Sequence, residues 1–330
     1  MKRIPIGIVT GFLGSGKTTL IAKALADERL RNTAVIVNEF GEVSLDHLIM
    51  RTVQDNIVEL RNGCVCCTIR EDLAMTLRDL LLKRALGDVA YFDYVVIETT
   101  GLADPRPLLH TLMGLPAFRQ SYQPDVVVSC VDMTCGVATV REHEIAAGQI
   151  AMADFIVFTK GDLASEEQRR ETYAMVASLN PLAETAEAEQ GQIDPSRLFR
   201  RGLFEPGRSS ETIRAWLRHD CAEHDHHHHD ASDYRSHAIL RDQPLSLAGT
   251  SVFLNRLVNT QKGGLLRIKG LAGFREKGGK PGVIHAVQDK FYPIQWLEEW
   301  PDEDHRSRLV IIGRDLDLAW CEELFDELCS

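Results

Sequence analysis

The stretch GFLGSGKTTL, residues 11–20, follows the apolar run IPIGIVT of residues 4–10 and opens the helix-patterned segment KTTLIAKALADERL. It satisfies G-x-x-x-x-G-K-[ST] in full through Gly11, Gly16, Lys17 and Thr18. Strand, glycine loop, helix is the context in which this pattern forms a phosphate cradle. The glycines let successive backbone N–H groups turn inward, and the new helix adds the positive end of its dipole. Lys17 is expected to bridge β- and γ-phosphates and Thr18 to hold Mg²⁺ through its hydroxyl, with Gly14, Ser15 and Thr19 completing the loop.

Outward from this loop, short β-rich runs recur at 4–10, 33–40, 92–100, 124–132 and 153–160. Each is a continuous apolar run, as strands buried on both faces require, and helical spacing fills the gaps; a mostly parallel sheet follows. SEEQRRETYAMVASLN opens with a capping-box pattern, Ser165 and Gln168, and ends before Pro181. From Glu205 to His237 the chain turns polar and His-rich, which reads as a linker. Beyond it, strand-like segments at 250–256, 265–270, 283–288 and 308–313 surround short helical patterns. The expected architecture is α/β: a P-loop domain over 1–205, a linker over 206–237 and a smaller α+β domain over 238–330.

A length of 330 residues suits two such domains. The net charge of −11 argues against a nucleic-acid partner, which would need a basic face. Lys2 and Arg3 precede apolar residues, but Pro5, Gly7 and Thr10 interrupt them, so the N-terminus reads as a first strand and not a leader. No apolar run approaches the roughly 20 residues of a membrane helix. A cytoplasmic protein is expected. Eight cysteines, three of them crowded into GCVCC at 63–67, are not a disulfide framework.

Two further strand ends supply nucleotide chemistry. FDYVVIETTG places Glu98 where a second carboxylate could anchor Mg²⁺, and Gly101 three residues on, where its N–H could sense the γ-phosphate. Aspartate is the usual acid there; glutamate still provides the carboxylate. FIVFTKGD places Asp162 to accept the N1–H and N2–H₂ of guanine, a pair adenine cannot offer, and Lys160 to lay its stem over the ring. GTP is therefore expected over ATP. Leu102 stands where many GTPases carry a glutamine that orients the attacking water, so slow intrinsic hydrolysis is expected.

In GCVCC, Cys64 and Cys66 share a side if the chain is extended, and Cys64 and Cys67 do in a helical turn. TIREDLAMTL after it looks helical, and a helix N-terminus favours thiolate. The set suits Zn²⁺ or Co²⁺, with disulfide chemistry as the rival. Three thiols leave a tetrahedral ion one ligand short. VNEFGEVSLDH, residues 37–47, offers Glu39, Glu42, Asp46 and His47, of which Glu42 is preferred and Glu39 next. HDHHHHD at 224–230 is either a solvated linker or a weak, fast-exchanging metal collector.

Taken in order, GFLGSGKTTL, NEFGEV, NGCVCC, ETTGLADP and TKGD, then GGLLRIKG (263–270) and RLVIIG (308–313), resemble the CobW-type family of P-loop GTPases, metallochaperones that include zinc chaperones. The resemblance covers nearly the whole chain. It implies an α/β GTPase domain followed by a smaller α+β domain, and GTP hydrolysis coupled to delivery of a metal, commonly zinc, to a client metalloprotein. By position it assigns Gly14 to Thr19, Glu98, Lys160 and Asp162 to nucleotide and Mg²⁺, and Cys64, Cys66 and Cys67 to the transferred metal. Val37 falls just ahead of Asn38, where some relatives have another acidic residue. Subgroups differ in client, including cobalamin synthesis and nitrile hydratase maturation, and the motifs do not separate them. They leave the physiological metal and the oligomeric state open as well. A regulatory GTPase with a structural metal, or a metal-storage protein using the His run, are the alternatives.

Overall fold

A computed structural model describes residues 3–37, 57–59, 68–114, 120–199, 234–261 and 263–329. The chain divides into two compact units, Met1–Thr172 with Thr185–Gly202, and Tyr173–Glu184 with Leu203–Ser330. Its first sheet is built from β1 (Ile4–Thr10), β2 (Thr33–Val37), β3 (Ile57–Glu59), β4 (Tyr94–Glu98), β5 (Tyr122–Asp132), β6 (Phe155–Thr159) and β7 (Glu184–Glu187). Their order across the sheet is β3-β2-β4-β1-β5-β6-β7. Every pairing from β3 through β6 is parallel. Ile6, Ile8, Val9, Val95, Val96, Ile156 and Val157 are buried, which accounts for runs that are apolar without alternation.

The connections include α1 (Lys17–Leu25), α2 (Thr68–Leu86), α3 (Pro105–Gly114), α4 (Gly136–Glu142), α5 (Glu144–Ala151), α6 (Glu166–Leu179) and the one-turn α7 (Pro195–Leu198). Tyr122 on β5 donates its hydroxyl to Leu77 O of α2 at 2.8 Å, tying that helix to the sheet. At the start of α6 the capping box forms as its sequence predicts. Ser165 N donates to Gln168 Oε1 at 2.8 Å and Gln168 N to Ser165 Oγ at 3.2 Å, satisfying two helix-start donors.

The second unit carries an antiparallel sheet of β8 (Tyr234–Arg241), β9 (Leu265–Phe274), β10 (Lys280–Val287), β11 (Lys290–Phe291) and β13 (Ser307–Arg314), with β12 (Gln295–Trp296) pairing β10. Two helices, α8 (Leu247–Thr260) and α9 (Leu318–Cys329), contribute Phe253, Leu257 and Phe325 to a core with Ile268, Ile284 and Ile311 of the strands. The strand expected at 250–256 is instead part of α8. Val252 and Phe253 suggest a strand locally, but the buried residues Thr250, Phe253, Leu254, Leu257 and Val258 fall at helical spacing. Ser246 caps the helix by accepting from Gly249 N at 3.1 Å. None of the described helices is long and apolar enough to cross a membrane.

Candidate functional site

Because β1, β4, β5 and β6 run parallel, their C-terminal ends share one edge of the sheet, and β1 lies where the strand order reverses. In open parallel sheets that crevice is where ligands bind. The P-loop leaves β1 at Gly11, whose φ of 132° is accessible to glycine; a Cβ there would lie 2.4 Å from Cys130 O on β5. Gly16 caps α1 in the left-handed region, φ 86°. Thr159, the last residue of β6, donates its hydroxyl to Ser15 O at 2.9 Å and so fixes the loop from the other side. Lys17 is only 8% exposed, with Nζ donating to Gly11 O at 2.9 Å and Phe12 O at 3.0 Å. The ammonium is thereby held across the mouth of the loop.

Thr18 and Glu98, eighty residues apart, meet here: Thr18 Oγ1 donates to Glu98 Oε1 at 2.6 Å, and Glu98 is buried at the end of β4. A hydroxyl and a carboxylate are hard oxygen donors of the kind Mg²⁺ takes. After Glu98 the backbone turns back against the P-loop. A Cβ on Gly101 would fall 2.5 Å from Leu13 N, so only glycine permits this approach. Leu102, next in the chain, points outward and is 57% exposed. Cys130 lies under the loop with its thiol pushed up to about 12, chiefly by burial, with Lys17 lowering it and Glu98 raising it. It is a neutral core thiol.

On the other side, Lys160 sits in the left-handed region, φ 57°, with Nζ 2.5 Å from Asp132 Oδ2 at the end of β5. Asp132 also accepts from Thr134 N at 2.8 Å and Thr134 Oγ1 at 2.6 Å. Burial works to raise its carboxyl, but the bonds from Lys160 and Thr134 prevail and hold it below the usual carboxylate range. Asp162 is exposed two residues further on. The turn between them is braced by Arg169 of α6, which donates to Gly161 O at 3.3 Å and pairs with Glu187 of β7 at 2.8 and 3.0 Å. Thr19 is exposed on α1, and a Cβ on Gly191 would lie 2.9 Å from its methyl.

The fold thus brings Gly11, Gly14 to Thr19, Glu98, Gly101, Lys160 and Asp162 to one edge. Asp132, Thr159 and Arg169 were not anticipated. Asp132 carried a signal, since it ends an apolar strand with an acid as Glu98 does; Thr159 opens the TKGD motif but its bond to the P-loop left no mark there, and Arg169 carried none. Glu39, Glu42, Asp46, His47, Cys64, Cys66, Cys67 and the run 224–230 lie outside the described residues. Among the described residues no three His, Cys, Asp or Glu side chains are grouped to hold an ion.

Comparison with known proteins gives two family matches. A profile described as CobW/HypB/UreG, nucleotide-binding domain, matches residues 5–187, and one described as cobalamin synthesis protein cobW C-terminal domain matches residues 234–329. The zinc chaperone YjiA of Escherichia coli is 32% identical over 318 residues, covering 96% of each chain. The zinc chaperone CobW of Pseudomonas aeruginosa is 32% identical, covering 97% of this chain and 90% of its own. The crystal structure of the Zn(II)-bound YjiA GTPase superposes with a TM-score of 0.77 at 27% identity, covering 99% of both chains.

Proposed function

This chain belongs to the CobW/HypB/UreG family of P-loop GTPases, and we propose that it couples GTP hydrolysis to the delivery of zinc from GCVCC to a client metalloprotein. The observation that carries the reading is a register. Val37, the last residue of β2, pairs with Glu98 on one side and with Glu59, the last residue of β3, on the other. β2 therefore ends beside the carboxylate that meets Thr18, and Glu39 and Glu42 follow it in sequence. β3 ends one strand further out, and Cys64, Cys66 and Cys67 follow it in sequence. Both strands end at the nucleotide edge. The full-length similarity to zinc chaperones supports the choice of zinc, with Co²⁺ as the next ion of suitable softness.

In this mechanism the backbone N–H groups of Gly14 to Thr19 and the Lys17 ammonium hold the β- and γ-phosphates. Thr18 and Glu98 would hold Mg²⁺, whose chemistry is to neutralise charge on those phosphate oxygens. Asp162 accepts the two guanine N–H donors, and Lys160, steadied by Asp132, covers the ring. The N–H of Gly101 meets the γ-phosphate. Leu102 cannot orient a water, so turnover is slow until another group assists. While GTP is bound, the γ-phosphate orders the segment after β2, and Glu42 completes the thiolate site. Hydrolysis releases that segment and loosens the metal for the client.

Linkage makes this testable, because GTP and zinc must each tighten the other by the same factor, on the order of 5–150-fold for a working switch. Zinc affinity, measured by competition with a chromogenic chelator, should be higher with a non-hydrolysable GTP analogue than with GDP. Cys66→Ser should abolish tight binding in both states while GDP binding persists, and Glu42→Ala should shrink the difference between them. Equal wild-type affinities would remove the chaperone mechanism. Base selection has its own check: Asp162→Asn should weaken GTP by roughly 10–100-fold, the value of a pair of charge-assisted bonds, and leave ATP unchanged. Wild-type protein that takes ATP as tightly as GTP would sink that assignment.

A further inference from the structure

Gln149, on α5, is 1% exposed and takes no part in the mechanism above. Its Nε2 donates to Gly101 O at 3.1 Å and to Ala103 O at 3.0 Å, across 48 and 46 residues of sequence. Two carbonyl acceptors fix which way the amide faces, since the reverse orientation would set oxygen against oxygen. Both acceptors belong to the turn whose Gly101 presses on Leu13 of the P-loop. A buried amide is costly unless bonded, and a packing role would be met as well by an apolar residue of similar length.

Gln149 also lines a small cavity. It has about 30 Å³ open to the centre of a water molecule and is lined mainly by apolar groups such as Phe12, Val140 and Ile150, with Ser15, Ser129 and Gln149 among them. Among the described residues, Ser15 Oγ, Ser129 Oγ and Gln149 Oε1 are buried without a hydrogen-bond partner. The space is large enough for a water, and these three oxygens are the partners that would hold one against a lining otherwise mainly apolar. One such water could join Ser15 of the P-loop to the same amide that holds the Gly101 turn.

We propose that Gln149 is the positioning residue of the γ-phosphate-reading turn: its amide pins Gly101 and Ala103 so that the Gly101 N–H is preset at the distance from the P-loop that GTP requires. This rests on the reading that Gly101 meets the γ-phosphate. GDP, which lacks that phosphate, makes no use of the turn. Loss of the amide therefore separates the two nucleotides. A residue that merely fills the core would alter stability and affect both alike.

The test uses full-length protein with Gln149→Leu and Gln149→Met, which keep much of the side chain's size but have no hydrogen-bond donor. Each should keep GDP affinity within about twofold of wild type, and lose affinity for a non-hydrolysable GTP analogue and kcat by on the order of tenfold, the worth of two neutral hydrogen bonds. Hydrogen exchange over residues 99–103 should show the turn protected by the GTP analogue relative to GDP in the wild type, and unprotected in both variants. An unchanged affinity ratio, or equal loss for both nucleotides with a lowered melting temperature, would overturn the proposal and leave the γ-phosphate reading standing. No nucleotide-dependent protection in the wild type would show that the reading itself fails, and would take the proposal with it.

Discussion

Lys17→Ala should lower GTP hydrolysis on the order of 100- to 1000-fold, the usual cost of removing one preorganised donor from a site of developing charge. The side chain is already in place, 8% exposed, with Nζ between Gly11 O and Phe12 O at 2.9 and 3.0 Å. Little reorganisation is left for it to undergo when phosphate arrives. Its charge is also the nearest cation to the γ-phosphate that the P-loop supplies, and neither Leu102 nor Glu98 can take its place. Phosphate release under single-turnover conditions is the measurement, with thermal unfolding as the check that the loop survives. Turnover within tenfold of wild type would mean that the P-loop reading of Lys17 is wrong.

The largest effect on stability should come from the second unit, at Gly249→Ala. In most helices this substitution is favourable, because alanine loses less backbone freedom than glycine. Gly249 lies in the first turn of α8, where a Cβ would fall 1.6 Å from Leu328 O and 2.6 Å from Leu328 C of α9. Both atoms are backbone and cannot rotate away. The helices must separate, which unseats Phe253 from its edge-on contact with Phe325 at 5.0 Å. Overpacking of this kind costs about 3 kcal/mol. For a domain of this size that corresponds to a fall of roughly 10–20 °C in the melting temperature of the second unit, visible by calorimetry. A rise in melting temperature, as helix propensity alone would give, would show that the two backbones are not so close in solution.

Much of this molecule could be read from local pattern. IPIGIVT followed by GFLGSGKTTL announces strand, loop and helix because each signal is contained within a few residues, and β1 and α1 fall there. Strand-end residues such as Glu98 and Asp162 were visible for the same reason. What could not be read is what distance in sequence conceals. Thr159 fixes Ser15 across 144 residues and Gln149 holds Gly101 across 48, and neither contact leaves a trace in the spacing of nearby side chains. The 250–256 segment shows a second failure, in which Val252 and Phe253 favour a strand by type while the five buried positions of α8 follow a helical face. A single core decided the matter, and its other half lies on strands elsewhere in the chain.

The central place of β1 also sets when this protein can first hold a nucleotide during its synthesis. Domains generally fold from the N-terminus as the chain emerges, but contacts distant in sequence must wait for both partners. The P-loop is made first, yet its supports arrive with Glu98 and Thr159, and β1 cannot be flanked on both sides until β5 exists. A ribosome-bound chain stopped short of β6 would carry the complete phosphate motif and remain unable to grip GTP. The motif that reads first in the sequence becomes competent only once Thr159, near the middle of the chain, has been made.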